Sequence, residues 1–302
     1  MRVSFSGHET FPLRSSWLKK ATDQVRIEPC IFRQDDAIAI FGVGKNMVRS
    51  IKHWALICNI IELMPESRTE YQVTELGKLL FSDGGWDPFI EDVGTAWLLH
   101  WQIVKQVERA TLWSFLFGVY RSSNIEQSTF FPEVRQWLSS RNADIPSEST
   151  LKRDFLCIGN SYAPLSSKRQ YEDSLQCPLS GIGLIVREGG VLYPSKRHRQ
   201  QLPDLVLGAI VIDYWLALDD TLKTLSIEQV LRDDLSPGKS LFLSEDDVYD
   251  KIIRLSENPD VPFIYDETAG IRQLVRIKGD FSSVRLLTQH YLASQIDLGD
   301  YA

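Results

Sequence analysis

His8 and Glu9 stand side by side, with Arg14 close behind, in the opening segment FSGHETFPLR. An imidazole beside a carboxylate can act as a general base or a metal ligand, and a guanidinium can hold a phosphate. Farther along, Asp87, Glu91 and Asp92 fall close together. Carboxylates at that density can hold Mg2+ or Mn2+ through one or two direct ligands, and Glu9 is a candidate to join Asp87 and Glu91. Each group also has a plain structural use. His8 and Glu9 can satisfy backbone groups in a polar N-terminal strap. Asp92 and Thr95 can cap the helix that carries Trp97, where negative charge is favourable. Asp92 is assigned to the cap, while Asp87 and Glu91 stay open. His100, flanked by Leu99 and Trp101, reads as a hydrogen-bonded core histidine.

A second set of residues suits nucleic acid. Lys45, Asn46, Arg49, Lys52 and His53 occupy one side of a helix predicted from Lys45 to about Cys58. Met47, Val48, Ile51, Trp54, Ala55 and Cys58 recur at three- and four-residue spacing and form its apolar side. A short helix over Asp36 to Phe41 precedes it, joined through Gly42-Val43-Gly44. Two helices across a glycine turn are the pattern of a helix-turn-helix. A helix rooted by one face, with cations and amides on the other, fits the major groove of double-stranded DNA. Strands over Ile60–Met64 and Tyr71–Val73 add a wing. The same geometry also serves protein contacts, and an ordinary solvated basic face remains the structural alternative. Lys196, Arg197 and Arg199, around His198, form the densest basic cluster and would contact phosphate at the base of a second wing.

These elements lie in a chain of 302 residues with net charge -7 and 43% hydrophobic residues. The acidic balance argues against indiscriminate coating of nucleic acid but leaves room for local basic patches. Cys30, Cys58, Cys157 and Cys177 are widely spaced, which is neither a disulfide framework nor a zinc ribbon. The N-terminal segment lacks the apolar run of a signal peptide, and no stretch approaches transmembrane length, so a cytoplasmic location with no membrane association is expected. Gly42-Val43-Gly44-Lys45 lacks the glycine spacing and the Ser/Thr of a phosphate loop, and no zinc-protease, nucleophile-elbow or dinucleotide motif is present.

The pattern predicts a mainly α chain with small β-hairpins (α+β), built of winged helix-turn-helix units joined by a helical region. Its expected divisions are 1–82 (first winged unit), 83–124 (helical connector), 125–202 (second winged-helix-like unit) and 203–302 (a C-terminal helical, winged-helix-like unit). In the second unit, a helix begins near Ser149 or Thr150. It turns Leu151, Phe155, Ile158 and Gly159 inward and Lys152, Arg153 and Asp154 outward. Leu184–Tyr193 reads as a hairpin across Glu188-Gly189-Gly190. The second helix of the last unit is acidic, with Ser244 as N-cap and Asp247 at the third helical position. It is assigned to packing or to contact with a second copy in a homodimer.

The strings FSGHETFPLRSSWLKK, FGVGKNMVRSIKHW, GWDPFIEDVGTAWLLHW, TLKRDFLC, YEDSLQCPL and DETAGIRQL occur in this order along nearly the whole chain. Together they resemble the SspB-like family of DNA phosphorothioation and related antiphage islands. The resemblance implies a DNA nickase that works with a cysteine desulfurase, an ATPase and a sulfurtransferase resembling PAPS reductase. The nick would let sulfur replace a non-bridging phosphate oxygen. The resemblance does not assign catalytic residues. Chemistry alone ranks His8 as base, Glu9 with Asp87 or Glu91 as metal ligands, and Arg14 or Lys45 as the phosphate's partner. No familiar nuclease motif is visible. A non-catalytic DNA adaptor that recruits the modification enzymes is therefore the main alternative, and a winged-helix transcriptional regulator a third.

Overall fold

The computed structural model describes residues 1–165, 177–195, 199–277 and 279–299. The chain divides into two compact units. The first comprises Met1–Leu116 with Tyr120–Ser195, and the second comprises Phe117–Val119 with Lys196–Ala302. The architecture is mainly helical with small antiparallel hairpins, as the pattern predicts.

The first unit opens with α1 (Ser15–Ile27), which buries Trp17, Leu18, Ala21, Thr22 and Val25 along one stripe. α2 (Ala37–Phe41) ends at Gly42, whose φ of 64° lies in the left-handed region that glycine enters without cost. Val43 N–H then donates back to Ile38 O at 3.3 Å, closing the helix end and turning the chain. α3 (Lys45–Ile57) starts after Gly44 and buries Val48, Ile51, Trp54 and Ala55 against the core. β1 (Ile61–Leu63) pairs with β2 (Tyr71–Val73), registering Ile61 with Val73, in the hairpin position expected of a wing. Thr74 caps α4 (Glu75–Phe81) by accepting from Gly77 N–H at 3.0 Å.

α5 (Val93–Val104) is apolar all round and buried from Gly94 to Val104, as befits a helix surrounded by protein. Asp92 caps it, accepting from Gly94 N–H at 2.6 Å. His100 is fully buried, with Nδ1 2.7 Å from Tyr162 Oη. α6 (Thr111–Gly118) and α7 (Gln127–Ser140) follow, then α8 (Glu148–Tyr162), capped by Ser147, and the short α9 (Pro178–Gly181). β3 (Ile185–Glu188) and β4 (Val191–Pro194) form the expected hairpin, turning through Gly189 and Gly190 at φ 56° and 87°.

In the second unit, α10 (Asp204–Leu218) buries Val206 to Ile212 together with Tyr214 and Trp215. β5 (Thr224–Ser226) leads into α11 (Ile227–Arg232), then come α12 (Pro237–Ser240) and α13 (Glu245–Glu257). Ser244 and Asp247 form a reciprocal capping box at the start of α13. β6 (Phe263–Thr268) and β7 (Ile271–Arg276) pair antiparallel, registering Phe263 with Arg276. β5 adds a third strand beside β7, which the pattern did not foresee because three residues carry too little periodicity. α14 (Ser283–Gly299) closes the described chain.

Candidate nucleic-acid interface

Because α3 is anchored by Val48, Ile51, Trp54 and Ala55, its opening residues Lys45, Asn46 and Arg49 stand exposed. Lys52 and His53 are half-buried at the margin of the same helix. Burial, and then the nearby Arg49 charge, lowers the Lys52 pKa. Burial pushes His53 down to about 3, helped by His8 and Lys52, so its ring is neutral at ordinary pH. Lys45 and Arg49 carry the exposed positive charge of this face, with Lys52 half-buried beside them.

The strap Ser6–Phe11 lies on α3. Ser50 Oγ donates to His8 O at 3.0 Å, and Trp54 Nε1 donates to Phe11 O at 3.0 Å. Gly7 approaches so closely that a Cβ there would sit 2.3 Å from His53 Nδ1. Ser6, Glu9 and Thr10 all hold positive φ, at 60°, 48° and 71°. Each such non-glycine residue costs on the order of 1 kcal/mol, so the strap's contacts, not its own preferences, fix its shape.

His8 is 1% exposed and anchors the strap from within. Its Nδ1 accepts from Thr10 N–H at 3.0 Å. That leaves the proton on Nε2, which donates to Asp154 Oδ1 at 3.1 Å. The same oxygen accepts from Ser6 N–H at 2.9 Å and Ser6 Oγ at 3.1 Å. Trp113 meets the His8 ring edge-on at 5.6 Å. Asp154 corrects the outward orientation expected of it, since it is 2% exposed. The signal was present in the spacing. Leu151, Asp154, Phe155 and Ile158 follow the i, i+3, i+4, i+7 pattern of one helix face, and only the charge argued for solvent. Ser50 escaped notice for a similar reason, as a polar residue buried beside the apolar stripe of α3.

Glu9 reaches Arg49, Oε1 to Nη1 at 3.4 Å, in a pair open to solvent. Arg14 is half-buried, its guanidinium 5.5 Å from the Trp17 ring centre. Asp87 is buried and its carboxylate is engaged. Oδ1 accepts from Glu91 N–H at 2.8 Å, and Oδ2 accepts from Asp92 N–H at 3.1 Å and Thr95 Oγ1 at 2.6 Å. Glu91 is exposed. Among the described residues, no group of three or more His, Cys, Asp or Glu side chains is placed to hold a metal ion, so Glu9, Asp87 and Glu91 are not brought together. The donor set does not fit a shared magnesium ion held by these three carboxylates. Lys196 and Arg197 lie outside the described residues. Arg199 is largely buried and pairs with Asp247 at 2.9 Å, within the second unit.

Cys58, Cys157 and Cys177 are buried, and burial raises all three thiols, Cys177 to about 12. They are poor nucleophiles at neutral pH. Among the described residues, no helix is long and apolar enough to cross a membrane.

Comparison with known proteins adds a relationship. The family model described as "Protein of unknown function (DUF4007)" matches residues 5–291. No curated protein matches the chain. Two solved structures are similar. An "SspB crystal structure" shares 26% identity, with TM-score 0.86 over 95% of this chain and 88% of that one. A "Magnesium ion-bound SspB crystal structure" shares 25% identity, with the same TM-score and coverage.

Proposed function

The chain belongs to the DUF4007 family, and on that premise we propose that it binds double-stranded DNA and nicks one strand within a phosphorothioation system of antiphage defence. The observation that carries this reading is the likeness to SspB along 95% of the chain. The exposed start of α3 supports it, because a helix held by one face and cationic on the other can enter a major groove. In this reading Lys45, Asn46 and Arg49 meet base edges or phosphates, and Lys52 and His53 border the contact. Lys196 and Arg197, outside the described residues, stay candidates for contact with phosphate. His8 acts as a positioning residue, since both its nitrogens are engaged in holding the strap. Glu9 and Arg14 are the strap's candidates to face the scissile phosphate. Magnesium or manganese enters the proposal through the magnesium-bound relative. The proposed partners are a cysteine desulfurase, an ATPase and a PAPS-reductase-like sulfurtransferase, with a second copy of the chain as a further one.

One observation favours a second reading. His8 has no free nitrogen, and the described carboxylates form no metal group. A DNA adaptor that recruits the modifying enzymes would need neither.

Nicking of supercoiled plasmid separates the two. Purified protein is incubated with Mg2+ or Mn2+, and with EDTA as control, beside a Glu9→Gln/Arg14→Ala variant and a Lys45→Ala/Arg49→Ala variant. Metal-dependent open circles, lost in the first variant while DNA binding persists, support the nickase. Salt-sensitive binding without nicking, alone or with the partner proteins, supports the adaptor. Absence of DNA binding refutes both.

A further inference from the structure

Beside α3 the first unit has a cleft of about 320 Å3. One wall is the opening of α3, with Lys45 and Arg49 a helical turn apart. The other runs from the 3-10 turn Ile31–Arg33 to the start of α2. Its volume is at the lower end of ligand pockets, which span roughly 300–1,000 Å3 and combine apolar walls with a few placed polar groups.

The lining has two kinds of surface. Arg33, Lys45 and Arg49 supply positive charge against the single carboxylate of Asp35. All three cations are exposed, and of them only Arg49 has an ion-pair partner among the described residues, Glu9 at 3.4 Å. Phe32 and Ile38 supply an apolar wall. Phe32 is fixed, stacked on Phe41 at 5.5 Å and edge-to-face with Tyr71 at 5.7 Å. Ile38 is 46% exposed, an apolar side chain left facing solvent next to a cationic rim. A rigid apolar wall beside a net positive rim matches a flat heterocycle attached to a phosphate. It suits neither a purely apolar ligand nor a bare anion.

We propose that this cleft receives one unpaired nucleotide of the strand lying along α3. The base rests against Phe32 and Ile38, and its phosphate lies among Arg33, Lys45 and Arg49. The proposal rests on the DNA-binding reading above and adds to it a preference for DNA with an extruded nucleotide. A base held outside its stack leaves the backbone at that position distorted and accessible.

Fluorescence anisotropy at fixed salt tests it with three probes: a paired duplex, the same duplex carrying one bulged thymidine, and free dTMP as competitor. The full chain is compared with Arg33→Ala and Ile38→Trp, the second filling the cleft from an exposed position. Circular dichroism and melting establish that each variant is folded. The bulged duplex is expected to bind about 10-fold tighter than the paired one, the scale of one base held on an apolar wall. Both variants should lose that preference, and Ile38→Trp should bind paired duplex as the wild type does. Equal binding of paired and bulged duplex by the wild type overturns the cleft proposal and leaves the DNA-binding reading intact. So does a preference that survives in both variants. Displacement of bulged DNA by micromolar dTMP also overturns it, because the cleft would then serve a free nucleotide. Failure to bind either duplex refutes the DNA-binding reading itself.

Discussion

Replacing Asp154 tests whether the strap is held by an acceptor or by a charge. All three of its bonds from the strap converge on one oxygen, Oδ1, at 2.9–3.1 Å, and the side chain is almost wholly buried. Asp154→Ala orphans the His8 Nε2–H and the Ser6 N–H, while the Ser6 hydroxyl can rotate to another partner. The buried His8 donor left unpaired costs roughly 1–3 kcal/mol and the half-buried Ser6 N–H less, so the pair together costs about 3 kcal/mol. In Asp154→Asn the amide oxygen can keep all three bonds, and the expected cost is below about 1 kcal/mol. In a unit of this size 1 kcal/mol moves the melting temperature by about 2–4 °C, giving a loss of roughly 6–12 °C for the alanine variant and at most 4 °C for the asparagine variant. Thermal unfolding followed by tryptophan fluorescence reads this directly, since Trp113 sits 5.6 Å from the His8 ring. If Asp154→Asn falls as far as Asp154→Ala, the reasoning is refuted. The lost charge would then be what matters, His8 would be an imidazolium, and its Nδ1 could not accept from Thr10.

Other consequences follow from neighbouring contacts. His53, held down to about 3 by burial and then by His8 and Lys52, titrates near 6.5 when unfolded. The unfolded chain therefore binds more protons between these values, so the stability of the neutral ring is complete above about pH 6.5 and is lost as pH falls toward 3. Urea unfolding should show a fall of up to about 2 kcal/mol from pH 7 to 5, and His53→Gln should flatten it. Gly7→Ala drives a methyl into His53 Nδ1, at a cost of about 1–3 kcal/mol. Much of that should return in the Gly7→Ala/His53→Ala double variant, measured by the same unfolding. Thr74→Ala removes both the cap on Gly77 N–H and the bond donated to Asn59 O at 2.7 Å, and should cost about 1–2 kcal/mol in thermal melts.

Local structure was largely legible from the chain. Gly42 announced the turn, and the three- and four-residue spacing of Val48, Ile51, Trp54 and Ala55 announced the buried face of α3. Glu188-Gly189-Gly190 announced the hairpin. Ser244 with Asp247 announced the capping box. Each of these signals spans a few residues and acts through backbone geometry or periodicity. The neighbourhood of the candidate site was less legible, because it is made by residues distant in sequence. Nothing near His8 names Asp154 as its partner, 146 positions away, whereas Asp87 is engaged by near neighbours, the Glu91 and Asp92 amides and the Thr95 hydroxyl, through a local turn that periodicity does not register. Charge also misled where burial was satisfied by bonds. Asp154 follows the apolar face of α8 in register, and a charged side chain can follow that face when donors meet it there. Arg199 is a further case, a member of a basic cluster that is committed to Asp247.

The strap has a consequence for how the chain is made. Its anchor, His8 to Asp154, joins residues 146 positions apart. A ribosome adding about 5–20 residues per second needs roughly 7–30 s to cover that distance. Throughout that interval Ser6, Glu9 and Thr10 lack the Asp154 anchor that helps hold their left-handed conformation. The strap is thus secured only once Asp154 has been made, long after its own residues, and α3 emerges with His53 and Ser50 still lacking a fixed cover. A fusion placed directly before Ser6 would burden this late step, whereas one at an exposed loop such as Glu66–Glu70 would not.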